Sequence, residues 1–377
     1  MKPKEFEIFI ACVPGLEHEL LSEIKKNNFK HTKLMIGGVS LFGDWRDVWR
    51  ANFYLRGATK VLVRFASFRV THLAQLDKLS HKLNWESLLQ YKKSFRVETV
   101  CRKSKIYHSG AATQRISKAI SDTIDAKEDP SSGILIKTRI LSDICTISLD
   151  SSGEGLHKRA YKIATGKAPI RETLAALFLQ KMKFDGSQAV YDPMCGSGTI
   201  VIEAAQIALG LPAGRNRTFA FMELPSFQKD EYEKLTEIKQ KKINLKFYGS
   251  DRDNGAIQNS IKNSKMANVD TFCHFKACSI SNVVPPTHEP GIILVNPPYG
   301  KRVGDRKKLF ALYKSLGQTL LEKFFDWQIG IITSDPGLAK ATELNFSNIS
   351  SAVDNGCLLY TSPSPRDRTR SRMPSSA

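Results

Sequence analysis

The sequence predicts an α/β protein: a doubly wound, mostly parallel sheet in the second half of the chain, preceded by a smaller α+β module. Three observations predict it. From residue 171 onward, short apolar strands alternate with helical stretches. The first of those strands runs into the glycine-rich turn "DPMCGSGT", residues 192–199. A later strand, "GIILV", stops at Asn296, Pro297, Pro298 and Tyr299. Proline has no N–H and holds φ near about −65°, so a buried strand ends there in a rigid, exposed corner. Open α/β sheets keep their ligands and chemistry at such strand ends.

The elements follow in order. "FEIFIACV" (6–13) reads as a strand, and "PGLEHELLSEIKKNNF" as a helix with Leu16, Leu20, Leu21 and Ile24 on one face. "KLMIGGVSLFG" reads as strand, turn, strand, which makes a small α+β unit. "LRGATKVLVRFASFRV" supplies a strand, "LAQLDKLSHKLNWESLL" amphipathic helices, and "KSFRVETVCRKSK" a strand with a basic exit. "GAATQRISKAISDTI" is a helix and "ILIKTRILSDICTISLD" a strand pair. In the second half the helix "RETLAALFLQKM" precedes "QAVYDPMCGSGTIVIEAAQIAL", then "LKFYGSDRDNGAIQNSIKNSKMAN", "TFCHFKACSI", "GIILVNPPYG", a helix bearing Leu309, Leu312, Tyr313, Leu316 and Leu320, and the strand "WQIGIITS". No internal repeat is present. The end, "YTSPSPRDRTRSRMPSSA", has almost no apolar content and reads as a disordered, non-native tail replacing the true C-terminus near Gly356.

Composition bounds the function. A chain of 377 residues holds two or three domains. No apolar run approaches a membrane span, and "MKPKEFEIFIACVPG" lacks the apolar core and cleavage site of a signal peptide. Seven cysteines without a C-x-x-C pair suggest a reducing compartment, no structural zinc and a cytoplasmic protein; each is read first as a small buried hydrophobe. A net charge of +19 points to a polyanionic partner, most simply nucleic acid.

In "DPMCGSGT", Gly196 and Gly198 permit φ > 0 and let a ligand lie against the backbone. Thr199 is placed to cap the following helix. The stretch is neither G-x-x-x-x-G-K-[ST] nor G-x-G-x-x-G, and no lysine is present to reach phosphates. "FYGSD" ends the next strand on Asp251, an acid placed to hold the ribose hydroxyls of an adenosine-type ligand. The competing role for such an acid, a helix N-cap, falls to Asp253.

Together, "DPMCGSGT", "GSDRDNGAI" and "NPPYG" resemble the S-adenosylmethionine, acidic-loop and catalytic motifs of class I amino-methyltransferases. "GLHKRAYKIATGKAPIRETLAA" (155–176) resembles the segment leading into the catalytic domain of THUMP-containing RNA methyltransferases. "LPAGRNRTFAFMELPSF", "LYKSLG" and "DNGCLL" are similar to the bacterial 23S ribosomal RNA guanine-N2 methyltransferases. The resemblance covers roughly residues 5–357 and is most specific from 155 to 300. It implies a ferredoxin-like subdomain over 1–55, a THUMP RNA-binding domain over 56–155, a Rossmann-like methyltransferase domain over 156–357 and the tail over 358–377. It implies S-adenosylmethionine as cofactor, held by Arg171, Glu172, Thr173, Asp192, Pro193, Cys195, Gly196, Gly198, Thr199, Asp251 and Arg252, with no metal. In one respect the sequence departs from the pattern: in "FKACSIS", Ala277 or Cys278 stands where a third acid contacts adenine in the family. The family's bacterial members are sometimes fused to a second methyltransferase domain, which is not expected within these residues, whether natively or through truncation.

The chemistry of the corner follows. An exocyclic guanine amine is a poor nucleophile because its lone pair is delocalised into the ring. The Asn296 side-chain carbonyl and the Pro297 carbonyl are two rigid acceptors that favour the pyramidal, reactive amine. Tyr299 can stack on a base swung out of its helix, and Pro298 stiffens the corner. Arg102, Lys103, Lys105, Lys137 and Arg139, near predicted strand ends, with Lys158 and Arg159 in the segment leading to the catalytic domain, are expected to contact RNA phosphates. The expected activity is guanine-N2 methylation of 23S ribosomal RNA, free or in a pre-ribosomal particle. The rivals are a tRNA guanine-N2 methyltransferase of the same domain order, an adenine-amine DNA methyltransferase, which also uses N-P-P-Y, and a non-catalytic RNA-binding assembly factor.

Overall fold

The structure, a computed structural model, describes residues 5–131, 133–163, 169–299, 306–350, 353 and 358–362. The chain divides into two compact units: residues 1–12, 21–156 and 217–237 form the first, and residues 13–20, 157–216 and 238–377 the second. In chain order the elements are β1 (Phe6–Ala11), α1 (Glu17–Lys26), β2 (Thr32–Met35), β3 (Gly38–Gly43), α2 (Trp45–Tyr54), β4 (Lys60–Arg69), α3 (Leu73–His81), β5 (Phe95–Arg102), α4 (Ser109–Ile124), β6 (Ile134–Leu141) and β7 (Ile144–Asp150). There follow α5 (Glu172–Lys181), β8 (Val190–Asp192), α6 (Thr199–Ala208), α7 (Lys229–Leu235), β9 (Phe247–Asp251), α8 (Asn254–Met266), β10 (Cys273–Ala277), β11 (Ile292–Val295), α9 (Arg306–Lys323), β12 (Gln328–Thr333), α10 (Pro336–Ala341), β13 (Asn348–Ile349) and β14 (Leu358–Ser362).

The first unit holds one sheet of order β2-β3-β1-β4-β7-β6-β5. Its neighbours are antiparallel except β5 and β6, which run parallel. β4 pairs with β1 on one side and β7 on the other, so the sheet runs unbroken past the domain boundary expected at 55/56. Strand alternation decides the two faces. Ile136, Thr138 and Ile140 of β6 are buried, and α4 turns Ala112, Ile116, Ile120 and Ile124 inward. The opposite face of β5 and β6, with Val100 and Arg139, is exposed. α2 was not predicted. Its aromatic residues give a weak helix propensity, and a capping box between Asp44 and Asp47 starts it instead.

The second unit holds a sheet of order β10-β9-β8-β11-β12-β14-β13. The first five strands are parallel, and β14 and β13 are antiparallel additions. The chain runs outward from β8 through β9 to β10, then returns to the other side of β8 with β11. The crevice at such a reversal is where this architecture binds ligands. Leu309, Tyr313, Leu316 and Leu320 of α9 pack with Ile293 and Val295 of β11 and Ile329 and Ile331 of β12. Each buried side chain of this size contributes about 1.5–3 kcal/mol.

The start of the expected disordered tail is corrected: Leu358–Ser362 form β14, with Leu359, Tyr360 and Ser362 buried and Ile331 paired to Tyr360. Pairing with β12 satisfies a backbone whose side chains look loop-like. The rest of the expected tail, residues 363–377, and most of "DNGCLL" lie outside the described residues. No helix among the described residues is long and apolar enough to cross a membrane. Among them no group of three His, Cys, Asp or Glu is placed to hold a metal ion.

Candidate active site

In the second unit, β8, β9, β10 and β11 all end at the same edge of the sheet, on Asp192, Asp251, Ala277 and Val295. The glycine-rich loop fills the space between β8 and α6. Gly196 (φ +53°) and Gly198 (φ +80°) adopt the left-handed conformation predicted for them. A Cβ on Gly198 would come within 3.0 Å of the Ser260 side chain and 3.1 Å of Phe275, whereas a Cβ on Gly196 would meet nothing within 4 Å. Gly198 is therefore a packing glycine, and Gly196 borders open space where a ligand can lie.

Thr199 does not cap α6. Gly198 occupies the N-cap position without a side-chain hydrogen bond, and Thr199 is buried in the first turn. The left-handed turn at Gly198 starts the helix at Thr199, one residue earlier than a threonine cap there requires. Asp253 does cap α8, accepting from Gly255 N at 2.8 Å.

Asp251 accepts from Gly196 N at 3.0 Å and from Asp253 N at 3.0 Å. It thus ties the loop to β9, and its four lone-pair sites leave room for ribose hydroxyls. Asp192 is 2% exposed and accepts from Met194 N at 3.1 Å. Burial pushes its pKa up to about 8; the Met194 N–H opposes the rise and the Asp251 charge adds to it. Cys195 donates its N–H to Ser250 O at 2.9 Å, and burial pushes its thiol pKa well up. Pro193 is buried, and its carbonyl lies 3.3 Å from Ser250 Oγ.

Two residues that the sequence reading missed hold this loop. Ser260 Oγ donates to Gly196 O at 2.8 Å, and Asn263 Nδ2 to Ser197 O at 3.0 Å. They sit one turn apart on α8, and that i, i+3 spacing of buried polar residues was the available signal. At the edge of β10, Cys278 N donates to Asp251 O at 2.9 Å, so this N–H is engaged where the family's third acid is absent.

Of the other expected cofactor residues, Arg171 is the exposed N-cap of α5 and Arg252 is exposed beside Asp251. Glu172 is buried and pairs with Lys162 at 3.3 Å; burial raises its pKa against that charge. Thr173 is buried, and its Oγ1 has no hydrogen-bond partner.

The corner after β11 carries Asn296, whose Oδ1 is a buried amide oxygen with no hydrogen-bond partner. Pro297 is buried, Pro298 half-buried, and Tyr299 packs against the α9 core. Residues 300–305, which follow, lie outside the described residues. The orphan acceptor, the open space at Gly196 and the acid on β9 suit an adenosine-type methyl donor beside a substrate that brings an N–H donor.

In the first unit, strand register brings the predicted basic residues together and adds others. Across β5, β6, β7 and β4 the partners run Glu98–Lys137–Ser148–Arg64, then Val100–Arg139–Thr146–Ser67, then Arg102–Leu141–Ile144–Arg69. Partners in register share a face. Arg102, Lys137 and Arg139 therefore stand with Arg64 and Arg69 on the open face, beside the exposed Val100 and Ile144. Strict alternation over the five positions from Arg64 to Arg69 would put them on opposite faces; the register shift between Arg64 and Ala66 brings them to one, which the sequence did not reveal. Lys103 and Lys105 are exposed just past β5. In the second unit Lys158 is exposed. Arg159, expected to contact RNA, is corrected: its side chain is 2% exposed and pairs with the buried Glu203 at 3.5 Å. A guanidinium committed to a buried carboxylate cannot reach a phosphate.

The family described as "RMKL-like, methyltransferase domain" matches residues 159–357, and the "RlmL ferredoxin-like domain" matches residues 7–62. "Putative RNA methyltransferase YpsC" of Bacillus subtilis is 31% identical over 90% of this chain and 90% of its own length. "Ribosomal RNA large subunit methyltransferase K/L" of Psychromonas ingrahamii is 31% identical over 88% of this chain and 46% of its own length. Among solved structures, a "predicted N6-adenine-specific DNA methylase" from Listeria monocytogenes is 26% identical, with a TM-score of 0.87 over 96% of this chain and 97% of that one.

Proposed function

This chain belongs to the RMKL-like methyltransferase family, and on that premise we propose that it methylates the exocyclic N2 amine of a guanine in 23S ribosomal RNA. The cofactor is S-adenosylmethionine. When bound, it supplies an electrophilic methyl group on a sulfonium, so no strong general base is required.

The observation that carries the reading is the buried, unpartnered Oδ1 of Asn296 at the end of β11. A buried acceptor without a donor costs roughly 1–3 kcal/mol. A substrate amine that donates to it recovers that cost. Asn296 Oδ1 and the Pro297 carbonyl would each take one hydrogen of the amine and leave its lone pair free. Pro297 and Pro298 hold the two acceptors in place, so little reorganisation accompanies the reaction. Tyr299 would stack on the extruded base. Asp251 would hold the ribose of the cofactor, with Gly196 and Gly198 shaping the loop around it.

We assign RNA binding to the first unit, with a THUMP domain over 56–155 and phosphate contacts from Arg102, Lys103, Lys105, Lys137 and Arg139. The names of the two curated relatives favour RNA, and that of the Psychromonas protein favours large-subunit ribosomal RNA. The Listeria protein's name keeps an adenine amine in view, since the same two acceptors suit it.

The test is methyl transfer from labelled cofactor to ribosomal RNA and tRNA taken from a strain lacking the enzyme, with mass spectrometry of the nucleosides. N2-methylguanosine in 23S RNA is expected. The same nucleoside in tRNA alone would reassign the substrate, and N6-methyladenosine would overturn the base. Cofactor binding without transfer to either RNA would favour an assembly factor.

A further inference from the structure

The first unit contains a cavity of about 560 Å³, lined in part by Trp45, Arg46, Trp49, Arg64, Phe65 and Ser226. Its size lies within the range of about 300–1,000 Å³ typical of ligand pockets. Two polar atoms among its lining residues are buried and have no hydrogen-bond partner: Trp49 Nε1 and Ser226 Oγ. Trp49 itself is 1% exposed. Both atoms are donors, and neither is satisfied by the protein.

A second observation concerns β4. Its register against β7 shifts between Arg64 and Ala66, which places Phe65 in a β-bulge. Successive residues of a regular strand point to opposite faces, and a bulge re-aims them. Here Arg64 and Phe65 both line the cavity. Arg64 also belongs to the row Glu98–Lys137–Ser148–Arg64 on the open basic face, where it donates to Ser148 Oγ at 2.9 Å. Arg46 adds an exposed guanidinium, paired with Glu231. Val63, which faces the side of the sheet opposite that row, also lines the cavity, so the cation beside the cavity is the exposed Arg46 among its own lining residues. The cavity offers aromatic walls and two free donors to a planar ring with acceptors on its edge.

We propose that this cavity receives one unstacked nucleobase of the bound RNA, a second base distinct from the one that is methylated. Its ring would lie against Trp45 and Phe65, and its edge acceptors would meet Trp49 Nε1 and Ser226 Oγ. The inference rests on the RNA reading above. It makes the first unit a reader of single-stranded structure as well as a phosphate-binding surface.

The experiment compares the full chain's affinity, by fluorescence anisotropy, for a single-stranded RNA of about 12 nucleotides and for the same backbone with abasic riboses. The parent should prefer the base-bearing strand by about tenfold or more, as one base stack implies. Trp45→Ala, and Ser226→Phe, which fills the cavity, should each shrink that preference about fivefold or more while leaving affinity for the abasic strand and for S-adenosylmethionine unchanged. Ser226→Ala removes only the donor and reports on the cavity if the larger substitution disturbs folding. Variants that keep the parental preference overturn the proposal while leaving RNA binding intact. A parent that binds neither strand overturns the RNA reading itself. Adenosine and uridine monophosphates form the last arm: if they bind the parent as tightly as the strand does and lose that binding in Ser226→Phe, the cavity serves a free nucleotide and the RNA source is wrong.

Discussion

At Asn296 a single buried oxygen without a donor marks the difference between a structural turn and a reacting corner. A Pro-Pro turn needs no such acceptor. Replacing Asn296 by Ala should cost roughly a hundred- to a thousandfold in single-turnover rate, as loss of one preorganised hydrogen bond does, with RNA and cofactor affinities near parental. A variant that turns over at the parental rate removes Asn296 from the mechanism. Asp251 carries two duties, since it holds Gly196 N and Asp253 N as well as facing the open loop. Asp251→Ala should weaken S-adenosylmethionine binding by about ten- to a hundredfold. Asp251→Asn keeps one acceptor oxygen but loses the second, which accepts a backbone N–H in the parent, and loses the charge; it should still lose less than Asp251→Ala. Calorimetry that finds both variants binding like the parent would move the ribose contact elsewhere.

At the scale of the element, strand alternation decides which cations act together. Arg102 lies four strand positions from Glu98 and Arg139 two from Lys137, both even separations, so all four share one face of β5 and β6. Lys137 lies 3.9 Å from Glu98, which leaves it partly neutralised. Replacing Arg102, Lys137 and Arg139 together by Ala should reduce the slope of log affinity for RNA against log salt by about 2, because fewer counterions are released. S-adenosylmethionine affinity should stay unchanged. An unaltered slope would show that RNA does not lie on this face. Helix α6 makes the complementary point: its first turn is set by the left-handed Gly198 rather than by a threonine cap, so the loop's shape depends on glycine and on α8 behind it.

At the scale of the whole molecule, the buried Asp192 and the half-buried His157 of the second unit make stability depend on pH in opposite senses. Asp192 is raised from 3.8 to about 8 by burial. Between those values the folded state binds the extra proton, so stability falls as pH rises. His157 is lowered from 6.5 to about 4, first by burial and then by the charges of Arg171, Lys158, Arg159 and Lys162. Between those values the unfolded state binds the extra proton, so stability rises with pH. The two effects oppose one another up to pH 6.5, and Asp192 acts alone from there to about 8. Calorimetric unfolding should therefore shift to lower temperature across that upper window. Asp192→Asn should flatten the fall, and His157→Gln should extend it toward lower pH. A fall that persists in Asp192→Asn would assign it to another group. By itself, the sequence determined the strand–helix alternation, the left-handed glycines, the Asp253 cap and the rigid corner after β11, because each depends on local backbone preference or on the spacing of apolar residues. Only the tertiary structure decided that β11 returns beside β8, which brings Asn296 to the same sheet edge as Asp192 and Asp251. It also decided that Arg159 spends its charge on Glu203, that β4 carries Arg64 and Arg69 to the face of Arg102, and that Leu358–Ser362 pair with β12. These outcomes depend on pairings between segments far apart in the chain, whose energies are set by burial and hydrogen bonding in the folded state and leave no mark on local residue pattern.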